Sequence, residues 1–137
     1  MTVDQSFYRV LDANLNRARE GLRVCEEVAR FLLEDPVLTR RCQRIRYTLT
    51  RVGEKLSGSR LLKSRDSRSD VGRPSLRGKR SSHQAAKDLV VSNARRVEEA
   101  LRVLEEFSRW KMLRLSRSFS ALRFQVYSLE QTLLSRL

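Results

Sequence analysis

The sequence predicts an all-α protein: a four-helix bundle built from two homologous helical hairpins with pseudo-two-fold symmetry. Three observations lead there. Apolar residues recur every three to four positions through most of the chain, the period of one helix face. The run NLNRAREGLRVCEEVARF at 14–31 returns as NARRVEEALRVLEEFSRW at 93–110, a constant 79 residues later. Each copy is followed, after a short connection, by a second amphipathic stretch, which makes the two stretches antiparallel neighbours. Polar residues are repeated with the apolar ones: Asn14 matches Asn93, Arg17 matches Arg96, Glu20 matches Glu99, and Glu26-Glu27 match Glu105-Glu106.

The first helix is expected over 5–34, stopped by Asp35-Pro36, which also starts the next, with Asp35 as N-cap. Leu38, Cys42, Ile45, Leu49, Val52 and Leu56 then form the seam of a helix folding back on the first, completing a hairpin over 5–56. From 57 to 82 the pattern dissolves into a Ser-, Gly- and Arg-rich connection; residues 60–80 hold eight basic side chains and two acidic ones. A connection longer than about 12 to 15 residues within one domain is either functional or a linker. The second hairpin occupies 83–136, with helices over about 83–111 and 113–136 and Leu115, Phe119, Leu122, Val126, Leu129 and Leu133 facing inward. Arg46 follows Ile45 as Arg123 follows Leu122, 77 residues on, so the second connection within a hairpin is two residues shorter. The 137 residues fit a single helical domain, 1–137, large enough for a core without disulfide or metal staples.

At about 100° per residue, Phe7, Leu11, Ala18, Leu22, Cys25, Val28, Ala29 and Leu32 gather around the direction of Asn14. Arg17 falls to one side of this sector and Glu20 at its edge; Asn93, Arg96 and Glu99 repeat the arrangement. An unpartnered buried amide costs about 1–3 kcal/mol and a guanidinium more. Two explanations follow. The asparagines bond each other or the glutamates as a device that sets register, or the Asn-Arg-Glu rows line a cavity whose ligand satisfies them.

The formal net charge of +13 favours polyanions, anionic membranes or phosphorylated small molecules. No stretch reaches the roughly 20 apolar residues of a membrane span and the first residues show no signal peptide, so the expected location is cytoplasmic. Cys25 and Cys42 lie on apolar stripes without CxxC spacing, and the single His83 builds no ligand cluster with them, so both read as core thiols. There is no HExxH, no GxSxG, and no Ser or Cys nucleophile with a histidine base nearby. The run GRPSLRGKR at 72–80 fails as a P-loop: five residues rather than four separate its glycines, Arg80 stands where a hydroxyl must, and no βαβ unit surrounds it. What remains open is phosphate and acid-base chemistry. Arginines supply bidentate phosphate anchors, Glu20 and Glu99 are proton acceptors, and Asp66 and Asp70 offer a magnesium pair of the kind nucleotide-using sites employ. Arg65 beside Asp66 has the simpler reading of a surface ion pair.

The runs YRVLDANLNRAREGLRVCEEVARF, RDSRSDVG (65–72), VVSNARRVEEALRVLEEF and LRFQVYSLE, in this order, resemble the small helical hydroxymethylpyrimidine-phosphate kinases of thiamine biosynthesis, a family also found fused ahead of thiamine-phosphate synthase. The resemblance covers about residues 7–133. It implies transfer of a phosphoryl group from ATP, with Mg2+, to 4-amino-5-hydroxymethyl-2-methylpyrimidine phosphate, giving the diphosphate, and a separate thiamine-phosphate synthase as partner. It also makes RDSRSDVG a candidate substrate loop, with Gly72 allowing close backbone approach. The stretch 73–80 follows no motif of the family.

The roles assigned to residues are physical inference. Glu20, Glu99, Asp66 and Asp70 are the candidate catalytic groups, with Asp66 and Asp70 on magnesium. Asn14, Arg17, Asn93, Arg96, Arg46, Arg123, Arg65 and Gly72 are the candidate substrate and phosphate ligands. Two other classes stay beside the kinase. A non-catalytic binding module serving a synthase would keep the pocket without needing the Asp pair. A nucleic-acid-binding bundle accounts for the basic loop but not for the Asn-Arg-Glu rows, and no aromatic stacking platform is evident. A homo-oligomer is compatible with all three.

Overall fold

The computed structural model describes residues 1–56, 58–73 and 81–137. The helices are α1 (Val3–Glu27), α2 (Pro36–Lys55), α3 (Gly58–Ser64), α4 (Ala86–Lys111) and α5 (Leu113–Ser135), with no strand among the described residues. The long helices are the four expected. The short α3 is an addition, in a stretch whose composition reads as loop. The run 74–80, with most of the P-loop lookalike, lies outside the described residues.

Local chemistry sets the ends. α1 begins two residues earlier than the apolar period suggests, because Thr2 and Gln5 form a capping box: the Gln5 amide donates to Thr2 Oγ1 at 3.2 Å and the Thr2 amide to Gln5 Oε1 at 2.9 Å. Its last turn widens into a π-helical turn over Val28–Leu32, where the Leu33 amide reaches Val28 O. Glu34 then turns left-handed at φ 49°. Asp35 caps α2 as expected, accepting from the amides of Val37 and Leu38 at 2.9 and 3.0 Å, with Pro36 as first helical residue. α4 starts at Ala86 rather than 83, since the Asp88 carboxylate accepts from the amides of Gln84 and Ala85 and holds them outside the helix.

The helices form a ring in the order α2, α1, α4, α5, closed by contact of α5 with α2. Neighbours run antiparallel. Asp4 and Phe7, early in α1, meet Lys111 and Trp110 at the end of α4; Arg41, early in α2, donates to Ser128 and Thr132 late in α5 at 3.2 Å each. Consequently α2 ends at one end of the bundle and α4 begins at the other. The chain must travel about 35 Å, the length of α1 at 1.5 Å per residue, to connect them. The connection is long because the topology requires a crossover.

The core contains Leu11, Leu22, Cys42, Leu49, Val97, Leu104, Phe119 and Leu133. Cys25 and Cys42 are buried free thiols, and burial pushes both up to about 12. α1 and α4 pack closely at Gly21: a Cβ there would lie 2.6 Å from Val97 Cγ2 and 2.8 Å from the Asn93 carbonyl oxygen. Among the described residues no helix is long and apolar enough to cross a membrane.

Candidate functional site

Among the described residues the two asparagines do not bond each other, and neither lines the grooves beside α1 and α3. Asn14 is buried and donates through Nδ2 to Val10 O at 2.9 Å, and Asn93 to Leu89 O at 2.9 Å, each satisfying its amide within its own helix. Arg17, Arg96, Glu20 and Glu99 are exposed rather than inward. The helical angle put the arginine Cβ atoms at the rim of the apolar sector, and their long stems carry the guanidinium groups out to water.

Arg46 and Arg123, expected on phosphates, hold carboxylates instead. Glu26, 1% exposed, accepts from Arg46 Nε at 2.9 Å, Arg23 Nη1 at 3.2 Å and Gln43 Nε2 at 3.3 Å. Glu105 repeats this with Arg123 Nη2 at 2.9 Å and Arg102 Nη1 at 3.4 Å. The guanidinium groups also lie over neighbouring rings, Arg46 over Tyr47 and Arg123 over Phe124 and Tyr127. These pairs join the two helices of each hairpin. The signal for them was in the sequence, as glutamates matched at the repeat offset on the buried side.

The site that does form lies where the crossover runs along α1. Leu61 is buried and anchors α3, and Arg60 donates to the Tyr8 hydroxyl at 3.3 Å. Arg65 ignores its neighbour Asp66 and grips Asp12 with two parallel bonds, Nε to Oδ2 at 2.7 Å and Nη2 to Oδ1 at 2.8 Å. Asp12 holds this guanidinium's pKa above its ordinary value. Arg9 Nη2 donates to the Asp66 carbonyl at 2.8 Å. Neither Asp12 nor Arg9 stood out in the sequence: Asp12 lies next to the apolar stripe, and its partner is 53 residues away.

The resulting groove, of about 340 Å³, is lined by Ser6, Arg9, Val10, Ala13 and Arg17 of α1, by Ser69, Asp70 and Val71 of the crossover, and by Met1. Neither Arg9 nor Arg17 forms an ion pair among the described residues; Arg17 makes one long contact, 3.4 Å, to Asn14 Oδ1. Two cations facing a groove without carboxylate partners suit a dianionic phosphate. A second groove, about 290 Å³, lies beside α3 and is lined by Asp4, Gln5, Tyr8, Arg60, Lys63 and Ser64.

Asp66 and Asp70 shape the loop. Asp66 Oδ1 accepts from the amides of Arg68 and Ser69 at 3.2 and 3.1 Å, and its other oxygen from the Ser69 hydroxyl. The Ser69 hydroxyl and amide bonds lower the Asp66 pKa, and Arg9 adds to the effect. Asp70 Oδ1 accepts from the Gly72 amide at 2.8 Å, and a Cβ on Gly72 would come within 3.3 Å of that oxygen. Gly72 therefore admits a close approach, by Asp70. No cluster of three or more His, Cys, Asp or Glu side chains able to hold a metal occurs among the described residues. Asp66 accepts hydrogen bonds at both oxygens from the loop itself. Asp70, lining the groove with only Oδ1 bonded, fits a magnesium ion that keeps most of its shell from water and substrate phosphates.

The ThiD2 family model matches residues 9–132. The chain is 40% identical to a thiamine-phosphate synthase of Nostoc punctiforme over 132 residues, covering 96% of this chain and 36% of that protein. It is 40% identical to one of Thermosynechococcus vestitus, covering 94% and 36%, and 35% identical to one of Rhodopirellula baltica, covering 88% and 32%. The chain thus spans about a third of the length of these relatives. No solved structure matches it significantly.

Proposed function

The chain belongs to the ThiD2 family, a family of thiamine biosynthesis, and from that premise we propose that it phosphorylates 4-amino-5-hydroxymethyl-2-methylpyrimidine phosphate to the diphosphate with ATP. The observation that supports this best is the pair Arg9 and Arg17, one groove wall carrying two guanidinium groups without acidic partners beside the RDSRSDVG segment. In this reading the substrate phosphate sits between them and Ser6 supplies a hydroxyl donor, that of Ser69 being given to Asp66. A substrate phosphate oxygen attacks the γ-phosphorus of ATP, the bond to the β-phosphate oxygen breaks, and ADP leaves. The nucleophile is already an anion, so positioning and charge neutralisation carry the reaction and no strong base is needed. Glu20, three residues beyond Arg17, serves to orient the pyrimidine; Glu99, which does not line this groove, is given no role in it. Asp70 would hold magnesium, which supplies charge neutralisation when bound with the nucleotide. A thiamine-phosphate synthase is the partner this product calls for.

The test is incubation of the purified protein with the pyrimidine monophosphate, magnesium and ATP. One diphosphate and one ADP should form per substrate consumed. Tight binding of the monophosphate with no diphosphate in the presence of ATP would leave a binding module instead of a kinase.

A further inference from the structure

The repeat duplicates the scaffold of the site but not the site. Stepping 79 residues from the first copy to the second, Arg17 becomes Arg96, but Arg9 becomes Asp88 and Asp12 becomes Val91. Asp88 is committed to the amides of Gln84 and Ala85, so the second flank presents one arginine beside an acid where the first presents two arginines. Val91 offers nothing to a guanidinium. The crossover passes along α1, and Asp12 is where it is fastened: the aspartate side chain is 9% exposed and receives both forks of Arg65. A carboxylate that far from water requires a partner, and the partner begins the 65–72 segment.

We propose that Asp12 is a positioning residue: by gripping Arg65 it latches the 65–72 segment over α1, and this makes the first-repeat flank alone a phosphate-ligand site, one per chain. The inference rests on the kinase reading for the identity of the ligand. The latch itself stands on the Asp12–Arg65 geometry. Arg65 is occupied by Asp12 and does not touch the ligand; it sets where Ser69 and Asp70 stand relative to Arg9 and Arg17. Displacing a positioned group by about 1 Å is enough to cost up to 100-fold in rate or binding.

Two measurements on the full chain test this. Calorimetric titration with 4-amino-5-hydroxymethyl-2-methylpyrimidine phosphate should give one site per chain, weakened about tenfold in Asp12→Asn and in Asp12→Val. Arg65→Lys, which keeps the charge but loses the fork, should reproduce the loss. In turnover KM should rise with the loss of affinity and kcat should fall with it, because Asp70 moves with the segment, while the helical circular dichroism of the variants stays that of the unaltered chain, which general loss of folded protein does not allow. Without ligand, deuterium uptake by the 58–73 peptide should rise several-fold in Asp12→Asn, with α5 peptides unchanged. Unaltered uptake in Asp12→Asn overturns the latch whatever the ligand. Unaltered affinity and KM overturn the positioning role, and two equal sites overturn the one-flank assignment. Absence of binding by the unaltered chain defeats the functional reading and the ligand assignment with it, and the deuterium result still decides the latch.

Discussion

Glu26 of α1 and Arg46 of α2 meet at 2.9 Å, and Glu105 of α4 and Arg123 of α5 meet at the same distance in the second hairpin. The pairs are matched in sequence and in contact but not in burial, since the Glu26 side chain is 1% exposed and that of Glu105 13%. Removing one member of a buried pair leaves the other charge without compensation, at about 3–5 kcal/mol when both are fully buried. The arginines left behind are similarly exposed, 20% for Arg46 and 14% for Arg123, but Glu26→Ala also empties a fully buried site and strands the Arg23 and Gln43 donors, so it should cost about 2–4 kcal/mol and Glu105→Ala about 1–2 kcal/mol. Urea denaturation at neutral pH measures both; equal, small losses would contradict the burial difference.

Gly21 and Gly53 should respond to alanine with opposite signs. Gly→Ala within a helix ordinarily gains up to about 1 kcal/mol. At Gly53 the new Cβ meets only Leu15 Cδ1 at 3.6 Å, an ordinary contact, and the gain should appear. At Gly21 it meets a backbone oxygen at 2.8 Å, so α1 and α4 must move apart and the change should destabilise by about 1–3 kcal/mol. Thermal melts of the two variants decide it.

Glu98 of α4 lies within hydrogen-bonding reach of Glu130 of α5, and its Oε1 is shielded without a donor, so the pair is satisfied only when one carboxyl keeps its proton. Burial, then the Glu130 bond, raise Glu98 from 4.5 to about 8; Glu99 adds to this, and Arg95 opposes it. From α1, Cys25 faces the same pair. A folded pKa above the unfolded one means the folded state binds more protons between those values. The contribution is therefore full below about pH 4.5 and is lost as pH rises to about 8. Discounted for the solvent that reaches this half-buried group, the loss is about 1–2 kcal/mol. Glu98→Gln should flatten stability between pH 5 and 9, with His83→Gln as control; a wild-type profile already flat over that range would refute the shared proton.

Arg17 and Arg96 are equivalent in the repeat and both exposed, but only Arg17 lines the groove. Arg17→Lys loses the planar fork and should weaken the pyrimidine phosphate about tenfold, or 1.4 kcal/mol, whereas Arg96→Lys should change affinity less than twofold. Calorimetry on both variants checks this, and equal losses would require a second site.

The sequence by itself determined the helices, their inward seams and the duplication. Leu38, Cys42, Ile45, Leu49, Val52 and Leu56 are all buried as their spacing predicts, and Asp35 caps α2 where Pro36 marks its start. These features depend on neighbours within a turn or two of one helix, which periodicity reports. The destinations of Arg17, Arg46, Arg65 and Arg123 were decided only by the tertiary structure. A helical angle gives the direction of a Cβ, but an arginine head sits several bonds beyond it and takes whatever acceptor the neighbouring element presents. Arg65 passes over adjacent Asp66 to reach Asp12 because the antiparallel ring sends the crossover along α1 and brings that buried carboxylate beneath it. Ring order and chain direction come from packing between helices far apart in sequence, which no local pattern encodes.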